Sequence, residues 1–107
     1  MNIFGISEPS YNLILKTLSG FEEVNAASVF GSRAKGNFKT GSDIDLVLFG
    51  ENLSDELVSK LSVRLNEELP IPYFVDVVNF KTLNHEELKN HINRISKPFY
   101  TKSKLIN

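Results

Sequence analysis

The chain has 107 residues, a length that fits one domain, and its 41% hydrophobic content fills one core rather than two. Twelve basic and 13 acidic residues leave a net charge of −1, which excludes the strongly basic signature of an autonomous nucleic-acid binder. Cysteine is absent, so disulfides and thiolate metal sites are excluded as well.

No apolar run approaches the length that spans a bilayer. The first residues, MNIFGISEPS, lack the basic start, long apolar region and cleavage site of a secretory signal. No membrane association is expected, and a cytoplasmic location is the simplest reading. Neither an internal repeat nor a linker interrupts the sequence, so residues 1–107 read as a single domain.

In chain order, Tyr11, Ile14, Leu15 and Leu18 recur at helical spacing, with Pro9 in the first turn and Gly20 as a C-cap. AASVF (26–30) predicts a short strand that ends at Gly31, and Ser32 to Lys35 can form a helical turn. DIDLVLF (43–49) alternates: Ile44, Leu46 and Leu48 share one face, and Asp43, Asp45, Val47 and Phe49 share the other. The connection between these strands is too short for a crossover helix, so they fit antiparallel neighbours. Ser54 reads as the N-cap of an amphipathic helix running through Leu57, Leu61 and Leu65 to Leu69, stopped by Pro70 and Pro72. YFVDVVNF (73–80) is a third strand, with Phe74, Asp76 and Val78 on one face. Asn84 and Glu87 resemble a capping box for a last helix whose buried stripe is Leu88, Ile92 and Ile95. The basic residues Arg94, Lys97, Lys102 and Lys104 mark the C-terminal segment as a solvated end, or as a docking surface for an acidic partner. The resulting fold class is α/β (α+β), a small mixed sheet with helices packed on it.

Three strand carboxylates carry the chemistry. Asp43 and Asp45 lie two residues apart and project from one face, and Asp76 joins them if the second and third strands are neighbours. A lone strand aspartate is usually an edge or turn residue. Three together repel and raise one another's pKa, a balance that a divalent cation reverses. Oxygen ligands without Cys or His favour Mg²⁺, or Mn²⁺, over Zn²⁺. Upstream, Gly31 lets backbone approach a ligand closely, and Ser32 can offer its hydroxyl and N–H to an anion. Phosphate is the natural anion beside Mg²⁺, and Arg33 and Lys35 can add charge-assisted contacts, although taken singly each reads as solvated. His85 and His91 lack metal-like spacing and read as structural or solvated. Phe38, in an otherwise polar loop, is a candidate to stack on a base or meet a partner.

GSRAKG followed by GSDIDLVL resembles the nucleotidyltransferase signature of the DNA polymerase β superfamily. The short length resembles its minimal nucleotidyltransferase (MNT) branch, which occurs in bacteria and archaea. The resemblance covers Val29 to Phe49 most strongly and extends to Asp76. It implies a polymerase β-like core that binds two Mg²⁺ ions and a nucleoside triphosphate. Asp43, Asp45 and Asp76 would be the metal-holding catalytic residues. Gly31, Ser32, Arg33, Lys35 and Ser42 would form the nucleotide-binding set. It further implies AMP transfer from ATP to a hydroxyl, with a tyrosine of a helical HEPN toxin as acceptor and an antitoxin role. A catalytically silent antitoxin or adaptor is an alternative. Another is a small-molecule nucleotidyltransferase subunit working with a helical substrate-binding partner. Open sheet edges also leave room for a homo-oligomer.

Overall fold

The computed structural model describes residues 2–102. Helix α1 (Glu8–Ser19) starts with a proline in its first turn and ends at Gly20. Strand β1 (Ala26–Phe30) leads through Gly31 into the short helix α2 (Ser32–Lys35), and β2 (Ile44–Phe49) follows the polar loop. Helix α3 (Asp55–Val63) is capped by the Ser54 hydroxyl, which accepts the Leu57 N–H at 3.1 Å. Its axis continues not as α-helix to Leu69 but as a π-turn over Arg64–Glu68. Strand β3 (Val75–Asn79), a 3₁₀ turn (Phe80–Thr82), helix α4 (Glu86–Ile95) and strand β4 (Lys97–Thr101) complete the described residues.

The four strands form one mixed sheet in the order β3-β2-β1-β4. β1 and β2 are antiparallel, as their short connection requires, with Phe30 opposite Asp45. β2 and β3 are parallel, and α3 supplies the crossover that a parallel pair needs. The expected small mixed sheet with packed helices is therefore the fold observed.

Alternation along the strands divides the interior in two. Ala27, Val29, Ile44, Leu46 and Leu48 turn to one face and join residues of α1 and α3 in the larger core. Phe30 and Val47 turn to the other face, where Ile92 of α4 covers them together with half-buried Val78 and Leu88. The carboxylates extend this second face beyond the reach of α4's apolar stripe.

Two further sequence expectations are corrected by the structure. The C-terminal segment is not a loose solvated end: residues 97–101 pair antiparallel with β1, and Phe99 is buried between Phe4 and Tyr11. Pro98 and the exposed Lys97 hide this strand in the sequence, and both suit an edge position. Lys102 reaches back to the Glu22 carbonyl at 3.0 Å, whereas Lys104 lies outside the described residues. The cap of α4 is His85 rather than Asn84: its Nδ1 accepts the Leu88 N–H at 3.1 Å, which gives that histidine the structural role expected of it.

Candidate active site

The site is built where β1 ends and β2 and β3 begin. The parallel register sets Asp45 directly beside Asp76, so both side chains leave the same face of adjacent strands. Asp43 precedes β2 by one residue and shares its parity with Asp45. Asp43 and Asp76 are exposed, and Asp45 is half-buried. Partial burial, then the neighbouring charges of Asp76 and Asp43, push Asp45 up to about 6, and Arg33 only partly opposes them. The acids thus repel one another. They are not drawn into a closed cage: among the described residues no three potential ligands stand at metal-holding spacing.

β3 is an edge strand, and the π-turn fixes its start. Within that turn Asn66 turns its carboxamide onto Val75, donating to the carbonyl and accepting from the N–H, both at 2.8 Å. The amide thus mimics a strand partner for the residue just before Asp76. Ile44 N–H donates to Phe74 O at 2.8 Å and ties the starts of β2 and β3 together.

Gly31 joins this cluster through its backbone. Its φ of 71° lies in the region that favours glycine, and a Cβ there would overlap the Asp45 carboxylate. The glycine and the aspartate of the two motif halves therefore touch. The Gly31 carbonyl accepts the first N–H groups of α2, from Ala34 and Lys35. The Ser32 hydroxyl and N–H have no acceptor or donor partner among the described residues.

Arg33 departs from expectation. It is 2% exposed and turned into the protein interior, within electrostatic reach of Asp43 and Asp45. Nη1 donates to Phe4 O at 2.8 Å, and Nη2 and Nε donate to Ser42 O at 2.8 and 3.2 Å. The rings of Phe38 and Tyr73 lie 4.9 and 5.0 Å from the guanidinium carbon. Burial lowers its pKa, against the raising influence of Tyr73, Asp43 and Asp45; an arginine so placed stays charged. It locks the N-terminal segment, the loop before β2 and the approach to β3 into one unit. Three of its five N–H groups donate to carbonyls and the side chain is buried, so Arg33 is not the solvated side chain expected beside a phosphate. Phe38, the candidate to stack on a base or meet a partner, lies against the same guanidinium. Ser42 likewise serves the loop: its hydroxyl accepts the Lys39 N–H at 2.8 Å. Lys35 is exposed at the end of α2.

His91 was missed by sequence reasoning as a residue of this region. It comes from α4, and its Nε2 accepts the Gly31 N–H at 3.3 Å, with its ring edge-on to Phe30. A contact across 60 positions leaves no trace in local sequence. Its one available sign was its place next to Ile92 on a helix that must cover the second face.

The family described as "Polymerase beta, Nucleotidyltransferase" matches residues 12–105. No curated protein matches the chain. Among solved structures, the chain is similar to a crystal structure of a toxin–antitoxin with AMP-PNP, at 22% identity and a TM-score of 0.70, covering 86% of this chain and 73% of the other. It is also similar to a mutant of the toxin–antitoxin MntA–HpeT, at 20% identity and a TM-score of 0.69, with the same coverage. At these identities the likeness is one of fold. Among the described residues no helix is long and apolar enough to cross a membrane.

Proposed function

The chain belongs to the polymerase β nucleotidyltransferase family, and from that premise we propose that it transfers AMP from ATP to a hydroxyl of a helical, HEPN-type toxin partner, acting as an antitoxin. The observation that carries the reading is the register of Asp45 beside Asp76, with the Gly31 backbone set against the Asp45 carboxylate. The raised pKa of Asp45 supports a cation at the cluster, since mutual repulsion is what a divalent ion relieves. In this reading residues 1–107 act as one nucleotidyltransferase unit.

Asp43, Asp45 and Asp76 would hold Mg²⁺, with Mn²⁺ as a substitute; all three offer hard carboxylate oxygens. When bound, such ions stabilise the attacking and leaving oxygens of an in-line displacement. Gly31 N–H and the Ser32 N–H and hydroxyl face the triphosphate and hold its terminal phosphates in place. Lys35 adds positive charge from the end of α2. Asp76, the exposed member on the edge strand, is placed to accept the proton of the incoming hydroxyl. The acceptor oxygen bonds to the α-phosphorus, pyrophosphate departs, and no residue forms a covalent intermediate.

The toxin–antitoxin assemblies among the structural neighbours, one with AMP-PNP, favour a protein acceptor over a free metabolite. The test incubates the protein with Mg²⁺, ATP and a candidate helical HEPN-type partner, followed by intact-mass and peptide mass spectrometry. The expected result is a mass gain of AMP on a tyrosine of the partner. ATP binding without any transfer would replace the reading with a silent antitoxin. Transfer to a small hydroxyl compound alone would replace it with a small-molecule enzyme.

A further inference from the structure

His91 stands where the proposed function needs a phosphate oxygen. The Gly31 N–H that would hold the triphosphate is already bonded, to His91 Nε2, at a length near the long end for such a bond. An anionic oxygen is the stronger acceptor for that N–H. Once it arrives, a bare Nε2 lone pair would face an oxygen lone pair, and the ring must turn away or bind a proton there.

The surroundings favour the second course once an anion is present. Burial, then the charges of Lys35 from α2 and Arg94 from α4, lower the His91 pKa, so the ring is neutral in the nucleotide-free protein. Neither Asp45, whose carboxylate lies against Gly31, nor exposed Glu87, one turn earlier on α4, is among the groups that shift it. Arg94 follows His91 by three residues and so lies on the same side of α4. Lys35 and Arg94 are both exposed, and neither side chain has an ion-pair or hydrogen-bond partner among the described residues. Two exposed cations, one from α2 and one from α4, thus act electrostatically on the histidine that holds the Gly31 N–H.

We propose that α4 completes the phosphate side of the site: His91 gives up the Gly31 N–H to a triphosphate oxygen and, protonated from solvent, donates from Nε2 to the same triphosphate, with Lys35 and Arg94 beside it. This rests on the nucleotidyltransferase reading and adds to it a binding residue from the last helix. The proton is taken up on binding and released when the phosphates leave.

The test is calorimetric titration of the full chain with ATP and Mg²⁺ at several pH values. His91→Ala is expected to weaken ATP binding about tenfold, the size of one lost charge-assisted hydrogen bond. His91→Gln, whose amide can still donate to a phosphate, keeps affinity within about threefold, because it restores the neutral part of that bond. Native affinity falls from about pH 6.5 to about pH 8.5 as the imidazolium becomes harder to form, whereas His91→Gln is flat over that range. A nitrogen NMR spectrum of the native complex shows Nε2 changing from acceptor to protonated donor. If His91→Ala binds ATP as tightly as native, or more tightly, and the native pH profile persists in His91→Gln, the assignment of His91 is overturned while the nucleotidyltransferase reading stands. If the native protein does not bind ATP at all, both fall together.

Discussion

The two faces of the sheet are made by the same strands and serve opposite ends. On the first face, Ile44, Leu46 and Leu48 are completely buried against α1 and α3. On the second, the residues between them begin with a half-buried aspartate and only then become core, at Val47 under Ile92. One residue of alternation separates a stretch that stabilises the fold from a stretch that carries charge at its expense. A six-residue strand can do both because its parity assigns each residue to one task. The difference teaches that the carboxylates need no separate scaffold: the closed face holds β2 and β3 in register, and the open face inherits their spacing.

The comparison breaks most severely on the closed face. Leu46→Ala removes a fully buried side chain and should destabilise the protein by about 2–5 kcal/mol, read as a lower midpoint in urea. A loss below about 0.5 kcal/mol, the range of surface substitutions, would mean that this face does not hold the sheet.

The edge of the open face gives a smaller effect. Asn66→Ala leaves the Val75 N–H and carbonyl without their partner and should cost about 1–3 kcal/mol. Because Val75 precedes Asp76, hydrogen exchange at the start of β3 should rise more than exchange in β1. Uniform change across the sheet would show that Asn66 does not act locally.

The smallest effect is electrostatic, and its sign separates the two faces. Asp45 titrates at about 6 in the folded protein, above the ordinary carboxylate value of about 3.9 in the unfolded chain. The folded state therefore holds that proton more tightly, and the contribution of Asp45 to stability is lost as pH rises through this window. In the presence of a chelator, Asp45→Asn should be more stable than native at pH above about 6, with the gain fading toward pH 4. Its size should be of order 1 kcal/mol, well below full electrostatic conversion because solvent screens the half-exposed side chain. A variant less stable than native at neutral pH would place the charge among stabilising features instead.

Much of this was legible in the sequence, for local reasons. The alternation of residues 43–49, the glycine ending β1 and the hydroxyl before α3 each report on a few neighbouring residues. They located the first three strands, the helical turn after Gly31 and the face that Asp43 and Asp45 share, which Asp76 joins once β2 and β3 are neighbours. That β2 and β3 are neighbours was only a condition in the sequence; the structure pairs them in parallel. What stayed hidden depends on distant contacts. Arg33 looked like a phosphate ligand beside Gly31-Ser32, yet Phe4, Ser42 and Tyr73 turn it inward. β4 carries Lys97 and Pro98, which suit an edge and read as a tail. Asn66 and His91 meet Val75 and Gly31 only because a π-turn and the packing of α4 bring them there.

The central claim is that the open face exists for chemistry and not for stability. It is tested most directly by measuring Mg²⁺-dependent release of pyrophosphate from ATP by Asp45→Asn in the presence of the helical partner. The account predicts a fall of roughly a thousandfold, equal to the several kcal/mol of charge stabilisation that a bound metal supplies, in a protein that remains folded. Native rates from a folded Asp45→Asn protein would contradict it.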